Sequence, residues 1–291
     1  MSKFCKIFDA KISQSGSLGH PVVKGVPRKV SYSEPVLTEK ILLNVHNPFL
    51  FALIELPPHS ALLPALAVTS LFALAGFGLR GVTRSGALAG FALAFALYAC
   101  AGPRAFAVLV VLFVITLLAT RLGRQRKLAL GTAERSGGRS ASQVLANVGV
   151  ASLFAAAYGH LGKPSLLAAC AASLAEAAAD TVSSECGQAF GTSARLLSNG
   201  ARVAPGTNGG VSWAGTASGT LAALGMSLMA GWAGLVAASD LWLVALAAVC
   251  GMFLDSLLGA ALERPGRLSN NSVNFLGTLF AAVLALWLAR A

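Results

Sequence analysis

Two acids, Glu176 and Asp180, stand four residues apart in a stretch otherwise built of Ala, Leu and Ser. That spacing puts both carboxylates on one face of a helix. In an apolar helix two like charges repel each other and carry a heavy desolvation cost unless something neutralises them. A divalent cation would do so. Mg2+ suits the set, because it takes oxygen ligands, keeps several waters and is held by one or two carboxylates together with substrate phosphates. The competing account is one protonated acid, with both groups hydrogen-bonded to neighbouring helices. Glu185 follows at the end of the same stretch, either as a further metal ligand or as a solvated terminus. Asp255 is the only acid inside its own apolar run, with Gly251 and Gly259 one turn away on either side. Glycines there would let another helix approach closely. Asp255 reads either as a second metal ligand or as an interhelical hydrogen-bonding group.

Other polar residues extend the set. Pro205 is followed by Gly206, Thr207, Asn208, Gly209 and Gly210, just before an apolar run. Such a turn can offer backbone N–H groups to an anion, reinforced by the following helix N-terminus. It lacks the G-K-[ST] ending of a Walker A loop, and glycine clusters also mark ordinary turns. Asn270, Asn271 and Asn274 open the last apolar run, and Gln143 and Asn147 open an earlier one. Each amide either holds substrate or ties helices together. Arg139, Arg195 and Arg202 are candidate phosphate clamps or simple orientation signals. His20, His46, His59 and His160 lie outside these motifs, and neither G-x-S-x-G nor H-E-x-x-H occurs. Serine hydrolase and zincin chemistry are therefore poorly supported. Carboxylates, amides, glycines and arginines suit metal-assisted phosphoryl or nucleotidyl transfer, where positioning and charge neutralisation dominate.

The elements that must position these groups are membrane helices. The 291 residues are 56% hydrophobic and 11% charged, with a mean hydropathy of +0.72. A soluble domain would carry roughly a quarter charged residues. Apolar runs at 61–79, 86–101, 105–119, 144–159, 165–182, 210–238, 241–262 and 272–288 approach or exceed the length needed to cross a hydrocarbon core. The expected fold is all-α, a polytopic transmembrane bundle of about seven to eight spans. The two runs beside Gly102-Pro103 are short enough to be half-helices or a kinked hairpin. Residues 1–59 form a separate basic tail of irregular composition, a targeting segment or an upstream extension. Residues 60–291 form the transmembrane catalytic domain.

The net charge of +11 raises a nucleic-acid partner, but its distribution argues against one. Seven of the 22 Lys and Arg lie in the first 59 residues and six between Arg121 and Arg139, while the apolar runs are almost free of them. Counted on alternate sides after the tail, the basic residues divide twelve to three. The richer side is the cytoplasmic one by the positive-inside rule, with the basic tail in disagreement. Every polar motif described above falls on that richer side. The expected location is a bacterial inner membrane or an organelle membrane.

Four stretches carry a resemblance. GGRSASQVLAN at 137–147, ASLAEAAADTVSSECG at 172–187, PGTNGGVSWAGTASG at 205–219, and DSLLGAALE with NNSVNFLGTL between 255 and 279 resemble one family of integral membrane proteins. That family includes transmembrane protein 19 and the phytyl phosphate kinases of tocopherol and phylloquinone biosynthesis, with distant similarity to dolichol kinases and phosphatidate cytidylyltransferases. The likeness covers residues 64–291. It implies a kinase that converts phytyl or geranylgeranyl phosphate to the diphosphate with a nucleoside triphosphate, CTP, and Mg2+. Two other activities use the same residues: an ion-coupled transporter, and a CTP-dependent cytidylyltransferase acting on a lipid phosphate.

Overall fold

The computed structural model describes residues 59–133 and 137–289, so the predicted basic tail lies outside the described residues. Helix α1 is His59–Gly78 and α2 is Arg84–Arg121, with Thr83 capping α2 by accepting from Gly86 N at 3.1 Å. Gly102 breaks α2 in half with φ 79° and ψ −178°, a conformation open in practice only to glycine. The two halves return on each other. Arg139 shows this, because its N donates to Gly81 O and its O accepts from Thr83 N, both at 3.0 Å. Its guanidinium also reaches Thr116 and Thr120, each at 3.2 Å, at the other end of α2. Each arm, 84–101 and 103–121, is about 27 Å long at 1.5 Å per residue, close to the thickness of a hydrocarbon core. Of the alternatives open at Gly102-Pro103, the structure has the hairpin, with both arms full length.

The short helix α3, Arg124–Ala129, lies beyond α2. Helix α4 is Ala141–Leu161, and its first turn is closed by Ser140 N donating to Gln143 Oε1 at 2.8 Å. Helix α5, Pro164–Phe190, begins with proline, whose missing N–H costs nothing there. Residues 168–179 of α5 are all buried. Their small Ala and Ser side chains let neighbours close in from every side, so α5 is the axis of the bundle.

Between α5 and α6, Trp213–Trp232, lie three short strands: β1 at Ala194–Leu196, β2 at Arg202–Val203 and β3 at Gly210–Val211. They pair antiparallel in the order β2-β1-β3, with Arg195 opposite both Arg202 and Val211. The expected all-α bundle holds, and this small sheet is a local addition in one connection. Strands of two or three residues are too short to show an alternating pattern. Helix α7, Leu241–Leu258, runs on into a π-helical turn at Gly259–Glu263, and α8 is Asn270–Leu288.

Among the described residues, five helices are long and apolar enough to cross a membrane: α2, α4, α5, the segment Ala238–Glu263 and α8. Helix α1 packs on the second arm of α2 through Phe72, whose ring meets Phe106 at 5.3 Å and Phe113 at 5.4 Å. On α6, Gly215 and Gly219 lie against Ser183 and Ala179 of α5. With α2 counted as two arms, the described residues form eight helical passes. Tryptophans stand at the ends of several. Trp213 and Trp232, 87% and 84% exposed, bracket α6. They are about 28 Å apart along the axis, the spacing of the two interfacial belts where Trp is enriched. The protein is a polytopic helical membrane protein.

Candidate functional site

The loops at one end of the bundle carry the polar motifs. A polar cleft of about 400 Å³ opens there, with Asp180 from α5 and Asp255 from α7 in its wall. The two carboxyls are neighbours in that wall, close enough to act on each other electrostatically. They meet because the glycines between the helices leave room. A Cβ on Gly219 would stand 2.8 Å from Ala179 O and 2.5 Å from the Met252 sulfur, and one on Gly277 would stand 3.5 Å from Asp255 Cβ. Asp255 Oδ2 is buried without a hydrogen-bond partner among the described residues.

The opposite wall is the turn at 205–210. Gly206 and Gly209 have φ of 87° and 73°, which favour glycine. Space matters as much at Gly209, where a Cβ would lie 2.1 Å from Ala260 N. Thr207 N and Gly210 N close the turn onto Ala204 O and Thr207 O. Asn208 Nδ2 donates to Glu263 Oε1 at 2.8 Å, tying the turn to the end of α7. Glu263 reaches the cleft because of the π turn. Eight residues of plain α-helix would leave it about 80° off the face of Asp255, and the wider turn takes up most of that angle.

A second cavity, of about 230 Å³, adjoins the first, and Asp180, Thr132, Ser184 and Asn270 line both. Arg139, Gln143, Asn147, Glu185 and Asn274 complete it. Asn274 Nδ2 donates to Asn147 Oδ1 at 3.2 Å, so these amides tie α8 to α4 and line the cavity together. Gln143 likewise serves the first turn of α4.

Some expected residues sit elsewhere. Glu176 is 1% exposed and lies behind the cleft wall, against Gly251 and Gly277, with Oε1 unpartnered among the described residues. Glu185 lines the second cavity already paired, with Lys127 Nζ meeting its Oε2 at 2.6 Å. The same ammonium donates to Ala119 O and Thr120 O, satisfying carbonyls at the end of α2. Asn271 lines a separate apolar groove with Leu145 and Leu276 and takes no part in the cleft. Next to Asn270 on a helix, it is turned about 100° away. Arg195 donates to Gly200 O within the sheet, and both it and Arg202 are exposed, outside the two cavities. Sequence reasoning missed Glu263, Thr132 and Gln188 as lining residues. Glu263 closes the motif that begins at Asp255, and that was the one signal available.

Among the described residues, no three acid, His or Cys side chains converge as a closed metal cage. The facing pair Asp180 and Asp255, with a spare carboxylate oxygen at the edge of an open polar cleft, fits a different donor set. It is the set of a hard cation that keeps water and takes phosphate oxygens.

Residues 67–282 match the integral membrane protein family DUF92. The chain belongs to that family. Among its relatives, the uncharacterized membrane protein sll0875 of Synechocystis is 32% identical over 65% of this chain and 76% of its own length. Protein PGR of Arabidopsis thaliana is 30% identical over 79% of this chain and 96% of its own. Protein VTE6, chloroplastic, also from Arabidopsis thaliana, is 27% identical over 71% of this chain and 65% of its own. No solved structure matches the chain. The matched residues run from α1 to α8 and contain all of both polar cavities.

Proposed function

We propose that this DUF92 protein is a membrane phosphotransferase that converts an isoprenoid monophosphate, phytyl or geranylgeranyl phosphate, to the diphosphate, with CTP as donor. The observation that carries the reading is the facing pair Asp180 and Asp255, from two separate helices, in one polar cleft with the glycine turn 205–210. Kinship with VTE6 and the motif resemblance to phytyl phosphate kinases support the lipid phosphate as acceptor.

Asp180 and Asp255 would hold Mg2+, which when bound neutralises phosphate charge and orients the groups to be joined. The turn offers the N–H groups of Gly206, Asn208 and Gly209, which have no partner among the described residues, to phosphate oxygens. Arg139, Asn147 and Asn270 edge the adjoining cavity, where the acceptor phosphate would lie. The acceptor is already anionic at neutral pH, so its oxygen attacks the γ-phosphorus without a general base. The bond from that phosphorus to the bridging oxygen breaks, and the nucleoside diphosphate leaves. Positioning and charge neutralisation supply the acceleration.

The test is purified protein with Mg2+, phytyl or geranylgeranyl phosphate, and each of the four nucleoside triphosphates in turn. Lipid diphosphate with nucleoside diphosphate is the expected product pair. A nucleotidyl-lipid with pyrophosphate, or substrate flux into liposomes without nucleotide, overturns the reading.

A further inference from the structure

Next to the polar cavities lies an apolar one that the chemistry above does not use. It has a volume of about 80 Å³ and is lined by Phe72 and Gly76 of α1, Gly90 and Phe113 of the two arms of α2, Val144 of α4 and Ala177 of α5. That is the volume of roughly three waters, or of one branched five-carbon unit. Water has almost nothing to bind inside it, since the polar groups at its edge are few.

Those polar groups decide what the cavity is for. Arg139 and Asn147 line both this cavity and the polar one that holds Asp180. The guanidinium of Arg139 is held at the boundary by Thr116 and Thr120, and its backbone is locked to Gly81 and Thr83. An apolar hole that ends on a fixed cation beside a polar cleft is complementary to an amphiphile with an anionic head and a branched chain.

The glycines add an independent argument. Gly86, also on the lining, is demanded by packing, since a Cβ there would stand 2.2 Å from Arg139 O. Gly76 and Gly90 are not. A Cβ on Gly90 would meet nothing nearer than Val144 Cγ1 at 3.9 Å, and one on Gly76 would stand 3.5 Å from Phe113. Neither has a positive φ. Glycine inside a helix is less stable than alanine, and an unfilled apolar void forfeits contacts. Close packing of the protein alone therefore gives no reason for glycine at 76 and 90, whereas an occupant does.

We infer that this cavity binds the part of the lipid phosphate's hydrocarbon chain nearest the phosphate, its first isoprene unit, with Gly76 and Gly90 keeping the space open. The inference rests on the reading of the polar site as a lipid phosphate site, and not on the transfer of a phosphoryl group. The rest of the chain continues toward the bilayer along α1, whose outer leucines Leu63, Leu71 and Leu74 are exposed.

The experiment uses the full chain in detergent, without nucleotide, and a geranylgeranyl monophosphate carrying a diazirine on its first isoprene unit. Photolysis and peptide mapping are expected to find adducts on Phe72 and Phe113, and Gly90→Leu to cut their yield at least tenfold. Gly90→Ala, which ordinary van der Waals contact accommodates, covers the case in which the leucine variant fails to fold. It is expected to lower the yield severalfold while leaving thermal unfolding unchanged or higher. Adducts confined to the groove of Leu145 and Leu276, or a full yield at Phe72 and Phe113 in both variants, overturn the inference. The adduct map needs no phosphoryl transfer, so absent kinase activity with adducts at Phe72 sinks only the reaction. Diphosphate formation with adducts elsewhere sinks only the cavity.

Discussion

Asp255 is the residue on which the proposed chemistry turns, because a buried carboxylate oxygen without a partner is costly unless something binds it. Asp255→Asn and Asp180→Asn keep the shape of the side chain and remove its charge. Each is expected to lower diphosphate formation by about 100-fold or more, the size of effect seen when a single electrostatic group is removed from an active site. Thermal unfolding in detergent should hold or rise, since a buried like-charge contact is relieved. Chelation by EDTA should give the same loss, restored by added Mg2+. Glu185 belongs to a different account. With Lys127 1% exposed and its ammonium on the carboxylate, Glu185→Gln leaves a buried cation half-satisfied and is expected to cost about 3 kcal/mol of stability. Transfer by the folded fraction should persist. Lost transfer with unchanged unfolding would instead make Glu185 a ligand. The sequence brought both acids forward as candidate ligands, Asp255 as the lone acid of its apolar run and Glu185 at the end of the run that holds Asp180. Which of them is paired depends on Lys127, 58 residues away in a helix of six residues with no periodic signal.

Among the elements, the break at Gly102 and the turn at 205–210 carry the argument. A Cβ on Gly102 would meet nothing within 4 Å, so no contact opposes a side chain there. Backbone conformation does. Gly102→Ala is expected to destabilise the hairpin by roughly 1–3 kcal/mol, read as a lowered unfolding temperature in detergent. At Gly209 the opposite logic applies, for a methyl group would collide with Ala260 of the π turn. Gly209→Ala should push the turn off α7, break the bond between Asn208 and Glu263, and lower diphosphate formation by about tenfold or more, mostly through weaker nucleotide binding. The helices themselves were legible from the lengths of the apolar runs. The hairpin was one of several readings of a Gly-Pro pair, and the strands and the π turn left no pattern long enough to see.

For the bundle as a unit, antiparallel passes put 80–83, 137–140, 190–212 and 264–269 at one end, and Pro103, Gly162 and the 233–240 connection at the other. Ser198→Cys and Gly266→Cys, in a chain with its own cysteines replaced, are expected to react with an impermeant maleimide from the cytoplasmic side only. Ser239→Cys should react from the opposite side only. Labelling of Ser198→Cys and Ser239→Cys from one side would overturn the topology. Composition, run length and charge count were enough to establish that this chain lives in a bilayer, which of its loops carry the orienting charge, and which residue types are available for chemistry. Those properties survive without knowledge of any contact between distant residues. Which acids meet, which amide turns away, and where an apolar hole opens beside them became visible only once the helices were packed. Helix–helix approach is set by where glycines let backbones touch, and by cations such as Lys127 that neutralise one acid while another remains available.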